Sequence, residues 1–108
     1  MAHDYEEQRA ETLESLAEMR QEADFPAKAM VDFQFYPDGF DANWTGLATA
    51  LQAAGFTTVH HEDDEYFEAT IGPIETTDEN IWHWEKLGTE IALRFDFLPD
   101  GWGLFTEE

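Results

Sequence analysis

His60 and His61 stand side by side, and four acids follow them without a break: Glu62, Asp63, Asp64 and Glu65. Imidazole and carboxylate together suit zinc, nickel or manganese. Neighbouring residues of a strand point to opposite faces, however, so the two histidines cannot easily share one ion. His83, the other histidine away from the N-terminus, falls on a different element. The spacing matches no familiar ligand set, and neither a metal nor any other cofactor is expected. The same acids offer paired carboxylates for acid–base work, but that chemistry needs a sheltered cleft that lifts one pKa. Four consecutive acids at a turn are solvated surface. The chain has no cysteine, no glycine-rich phosphate loop, no GxSxG and no HExxH. Lys86 is the sole lysine of the second half, too little for a Schiff-base enzyme. No catalytic residue is expected.

The aromatic residues are the other candidates. Trp44 and Trp84 fall on the inward faces of their helices and read as core. Trp82 lies off that face, exposed or at its rim. Trp102 stands between two glycines in DGWG, just after Pro99, where a proline-aspartate-glycine turn is expected. As a plug it would close the end of the last strand. As an anchor beside Asp100 it would meet a partner, since tryptophan is enriched at interface hot spots.

These residues need elements to hold them. Residues 4–22 predict an acidic helix with a short apolar stripe at Leu13, Leu16, Ala17 and Met19, extended by Tyr5 and Thr12. Residues 30–36 alternate, with Val31, Phe33 and Phe35 on one side and Asp32, Gln34 and Tyr36 on the other. Asp41 is the expected cap of a helix that runs to Ala54, with Trp44, Leu47, Ala48 and Leu51 inward. Residues 56–62 and 65–72 form a hairpin, ended by Pro73. Thr76 and Glu79 make a capping box for a helix with Ile81, Trp84, Leu87 and Ile91 inward, continuing to about Arg94. A last strand starts at Phe95 and Phe97.

The order after the first helix is strand, helix, strand, strand, helix, strand. That predicts an α+β, ferredoxin-like βαββαβ sandwich: an antiparallel sheet with two helices on one face, preceded by the N-terminal helix. At 108 residues the chain reads as a single domain, residues 1–108, with the helix at about 4–22 and the ferredoxin-like core at about 29–105. FQFYPDGF at 33–40 echoes FDFLPDGW at 95–102, and each is expected to be a strand running into a turn.

Charge narrows the partners. Twenty-five acidic residues face five basic ones, for a net charge of −20. No stretch supplies the basic patch that direct nucleic-acid binding requires, and anionic membranes are disfavoured likewise. The N-terminus has no apolar core of a secretory signal, and no run reaches membrane-span length, so a cytoplasmic protein is expected. Such a field draws in basic partners, or else serves solubility alone.

Glu7-Gln8-Arg9 with Thr12, the strand AMVDFQFY, LQAAGF at 51–56 and above all RFDFLPDGWGLFTEE together resemble the RraB family, regulators of ribonuclease E activity. The short DGWG segment, Asp100 to Gly103, is the most specific part. The resemblance implies an inhibitor that binds an endoribonuclease and alters RNA decay, with no catalytic residue and no cofactor. The partner would be a ribonuclease with a basic segment, met by Trp102, Asp100, Trp82 and the acids Glu62 to Glu65. Two other readings use the open face of the sheet, where Asp32, Gln34, Tyr36, Tyr66, Glu68 and Thr70 would lie. It could hold a small molecule, as in a binding or enzymatic ferredoxin-like domain, or join two copies as a homodimer.

Overall fold

A computed structural model describes residues 3–22, 25–39, 42–61 and 65–106. The elements are α1 (Tyr5–Met19), β1 (Lys28–Pro37), α2 (Trp44–Ala53), β2 (Thr57–His61), β3 (Tyr66–Glu75), α3 (Asp78–Arg94) and β4 (Phe97–Phe105). The architecture is α+β, with one antiparallel sheet in the order β2-β3-β1-β4. Its inner face carries Val31, Phe33, Phe35, Phe67, Ala69 and Phe97, which bury against Leu47 and Leu51 of α2 and Ile81, Ile91 and Ala92 of α3. Each strand gives every second residue to this layer and each helix one stripe, so the two periodicities meet in one core.

Helix α1 joins that core through Leu16 alone of its fully buried apolar residues, and Thr12 is buried beside it. The expected stripe is therefore shifted: Ala17 is exposed, and Leu13 and Met19 are only partly covered. The helix runs antiparallel to α3. Gln8 meets Thr89, Thr12 meets Glu85, and Arg20 meets both Asp78 and the Thr76 carbonyl.

The boundaries moved where a local signal met a tertiary one. Asp41 lies outside the described residues, and the cap of α2 is Asn43, whose side chain accepts from the Gly46 amide at 2.9 Å. Thr77, not Thr76, caps α3 by accepting from the Asn80 amide at 3.1 Å. Thr76 instead donates its hydroxyl to the Pro26 carbonyl, tying the start of α3 to the segment before β1. Thr77→Ala is accordingly expected to cost about 1 kcal/mol in urea unfolding, the usual worth of a cap.

Pro73 does not end β3. The strand continues to Glu75, through a bulge between Ala29 and Val31 of its partner β1. Gly72 is required there: its φ is +134°, and a Cβ would come within 2.9 Å of the Ala29 carbonyl oxygen. Phe95 caps α3 rather than opening β4, which begins at Phe97.

The two PDG segments part company. After β1, Asp38 and Gly39 form a bend, with the Asp38 amide donating to the Asp96 carbonyl at 2.8 Å. Pro99-Asp100-Gly101-Trp102-Gly103 is no turn but the body of β4, with Gly101, Trp102 and Gly103 paired to Gln34, Phe33 and Asp32. Pro99 is tolerated because β4 is an edge strand, and Asp100 is the extra residue of a bulge.

Candidate functional site

Pairing with Phe33 aims Trp102 at the helix side of the sheet, because Phe33 is buried there. The indole is half-buried and packs on the core, yet one side of it stays open. It forms a wall of a groove of about 590 Å³ between α1 and β4. Phe33 and Phe35 of the central strand line its inner side, and Glu85 and Thr89 of α3 lie at its base. Asp4, the cap of α1, forms one rim with Glu7 and Glu11 of that helix, and the exposed Asp100 stands on the other. Trp102 is thus plug and wall at once.

Glu85 is the unexpected member. It is 6% exposed, and its two carboxylate oxygens accept from the Thr12 hydroxyl and, at 2.9 Å, from the Gln8 amide. The same Gln8 side-chain amide donates to the Thr89 hydroxyl at 3.0 Å, and His3 Nε2 lies 2.6 Å from its Oε1. Burial pushes the Glu85 carboxyl above its ordinary range, and Glu11 adds to this, while the bonds from Thr12 and Gln8 work against it. The sequence carried a signal for this network. Thr12 sits one turn before Leu16, and Glu85 and Thr89 are one turn apart beside the buried stripe of α3. Polar residues inside two facing stripes mark a buried hydrogen-bonded pair.

An aromatic wall under an acidic rim can hold a cationic side chain: the indole face attracts it, and the carboxylates neutralise it.

The other expected residues lie elsewhere. Trp82 is half-buried in a shallow depression with Arg9, His83, Lys86 and Glu90, away from the groove. Glu65 is exposed with φ at +54°, while Glu62, Asp63 and Asp64 lie outside the described residues. His60 and His61 fall on opposite faces of β2. His60 stacks on Trp44 at 3.9 Å on the helix side, and His61 on Tyr66 at 4.2 Å on the other. Trp84, expected in the core, is half-buried and packs against it, edge-on to Phe56 at 5.5 Å.

Among the described residues no helix is long and apolar enough to cross a membrane. No curated protein sequence matches the chain. A family model described as regulator of ribonuclease activity B, RraB, matches residues 6–104, from the first turn of α1 almost to the end of β4. That span takes in nearly all of the groove, including Gln8, Thr12, Glu85 and Trp102, and the chain belongs to the RraB family.

Proposed function

We propose that this protein is a small acidic regulator that binds an endoribonuclease of the ribonuclease E type and thereby restrains RNA decay. It does so by protein–protein contact in the cytoplasm, performs no chemistry of its own, and does not touch nucleic acid directly. The observation that carries the reading is the groove between α1 and β4, where Trp102 and Asp100 face Asp4, Glu7 and Glu11. Its occupant is a basic segment of the ribonuclease. Trp102 and Asp100 are the contact residues; Trp82 and the acids Glu62, Asp63, Asp64 and Glu65 extend the acidic surface that steers the partner in. The chain works as one domain of ferredoxin-like type. That assignment is supported by the succession strand, helix, strand, strand, helix, strand after α1 and by the interior place of β1.

Affinity capture from the protein's own cell extract, with Trp102→Ala in parallel, tests the reading. Wild type should retain a ribonuclease and the variant should lose most of it. With the purified ribonuclease, Trp102→Ala should weaken binding about 30-fold, a hot-spot effect of roughly 2 kcal/mol. Affinity should also fall steeply between low and high salt, because the steering charges are screened beyond about 8 Å at physiological ionic strength. A ribonuclease retained equally by both proteins would discard the groove; none retained would discard the function.

A further inference from the structure

The sheet has a second face, turned away from the helices. Alternation along β1 places Asp32, Gln34 and Tyr36 on it, and the register carries it to Glu68 and Thr70 on β3, Val59 on β2 and Phe105 on β4. Among the described residues, the large apolar side chains that are exposed all belong to this face: Tyr36, Val59 and Phe105, at 40%, 45% and 47%. Gly103 and Gly101 pair with Asp32 and Gln34, and a Cβ at either would meet nothing within 4 Å. A bare strip of backbone therefore runs beside the central carboxyl groups.

Asp32 and Glu68 are those groups, on adjacent strands in the middle of the face. The Thr70 hydroxyl donates to Asp32 at 3.5 Å, and His61 Nε2 lies 3.7 Å from Glu68. Lys28 and Glu75 oppose each other at the far end of β1 and β3, and β4 brings no charge to Asp32, since its partner there is Gly103. We propose that this open face is a docking surface, separate from the groove, for a protein segment that presents an arginine or lysine among apolar side chains. The cation sits over Asp32 and Glu68, and the apolar neighbours cover Tyr36, Val59 and Phe105.

Charge complementarity selects this occupant. A second copy of the chain, docked about a two-fold axis through the middle of this face, would set Asp32 and Glu68 against the same pair, each copy carrying a net charge of −20. The Asp32 carboxyl is pushed up to about 6, by burial first and by Glu68 second. At pH 7 Asp32 is mostly charged and attracts a cation; below pH 6 it takes up a proton and the attraction fades. Binding near pH 6 should therefore release part of a proton.

The test uses nitrogen-15 labelled protein and two short peptides, one alternating arginine with leucine and one with glutamine in place of arginine. The arginine peptide should shift the amides of Val59, Glu68, Gly103 and Phe105 and bind the wild type at least about fivefold more tightly at pH 7 than at pH 5. Asp32→Asn and Glu68→Gln should each weaken binding at these amides and remove most of that pH dependence, while Trp102→Ala, which alters only the groove, should leave the shifts of Val59, Glu68 and Phe105 in place. Equal binding of the glutamine peptide, shifts confined to α1 and Trp102, or no binding would each overturn the proposal. So would a dimer at pH 7 that Phe105→Ala dissociates, which would make a second copy the occupant. The groove reading fails separately, through ribonuclease capture that ignores Trp102→Ala.

Discussion

Truncating Phe33 to alanine is expected to lower the unfolding free energy by about 3–5 kcal/mol, the range for deleting a buried aromatic ring. Phe33 is 2% exposed and lies at the centre of the sheet, with Ala69 beside it on β3 and Trp102 on β4. Its ring meets Phe56 edge-on at 6.2 Å. The void left behind cannot close easily, because β1 is hydrogen-bonded to a neighbour on each side and cannot move inward. Against a total stability of about 5–15 kcal/mol for a domain, this is a large share. Trp102→Ala removes a bigger side chain yet should cost only about 1–2 kcal/mol, since the indole is half-buried on an edge strand and loses less transfer energy. Urea unfolding of both variants settles the comparison. A Phe33→Ala penalty below that of Trp102→Ala would place the core elsewhere. The ordering also matters for function, because it leaves the Trp102 variant folded and fit for the binding experiment.

The alternation in MVDFQFY and the stripe Trp44, Leu47, Ala48, Leu51 were legible because each residue there has one job, to face the core or not. Boundaries were less so. Thr76 and Thr77 are chemically alike, and only the Pro26 carbonyl, fifty residues away, decides which of them is free to cap α3. PDG was misleading for the same reason. Proline, aspartate and glycine favour a turn where the backbone runs out of a strand partner, as at Asp38 and Gly39, past the bond from the Asp38 amide to the Asp96 carbonyl. Residues 101–103 have one in β1, so the identical tripeptide extends as strand with only a bulge at Asp100. That difference decides where Trp102 points. In a turn it would be offered to solvent, but in β4 it turns toward the helix side and becomes a wall. Family resemblance identified the DGWG segment without disclosing its geometry. Glu85 was passed over because a glutamate on a helix reads as surface; its place one turn before Thr89, beside a buried stripe, was a signal whose meaning depends on α1 lying across α3 and bringing Thr12 and Gln8 to it.

Glu85→Ala is expected to cost about 2–4 kcal/mol at pH 7. It leaves the buried Thr12 hydroxyl without its acceptor, frees one of the two contacts of the Gln8 amide, and opens a space at the base of the groove. Because α1 is tied to α3 through this network, the loss should loosen α1 first, and hydrogen exchange should accelerate in α1 before it does in the sheet. Glu85→Gln is the informative contrast. It keeps the shape and an acceptor for Thr12 while removing a charge that burial disfavours, so its stability at pH 7 should lie within about 1 kcal/mol of wild type. The two also differ in their response to pH. The folded-state pKa of Glu85 is raised above its ordinary value of 4.5, so the fold binds this proton more tightly than the unfolded chain does. Its contribution to stability is fully present below about pH 4.5 and is lost as pH rises through the raised value. Asp32 acts in the same direction, between its ordinary 3.8 and about 6. Wild type should therefore be more stable at pH 5 than at pH 7, an inversion of the usual acid loss and one that relief of self-repulsion at a net charge of −20 reinforces. Glu85→Gln should flatten part of that slope and Asp32→Asn another part, with the two effects adding because they lie on opposite faces of the sheet. Thermal unfolding of the four proteins across this pH range measures it. A wild type that loses stability steadily from pH 7 to pH 5 would mean that Glu85 is held as a carboxylate by Thr12 and Gln8 more strongly than burial opposes it, and the groove would then carry a permanent negative charge at its base.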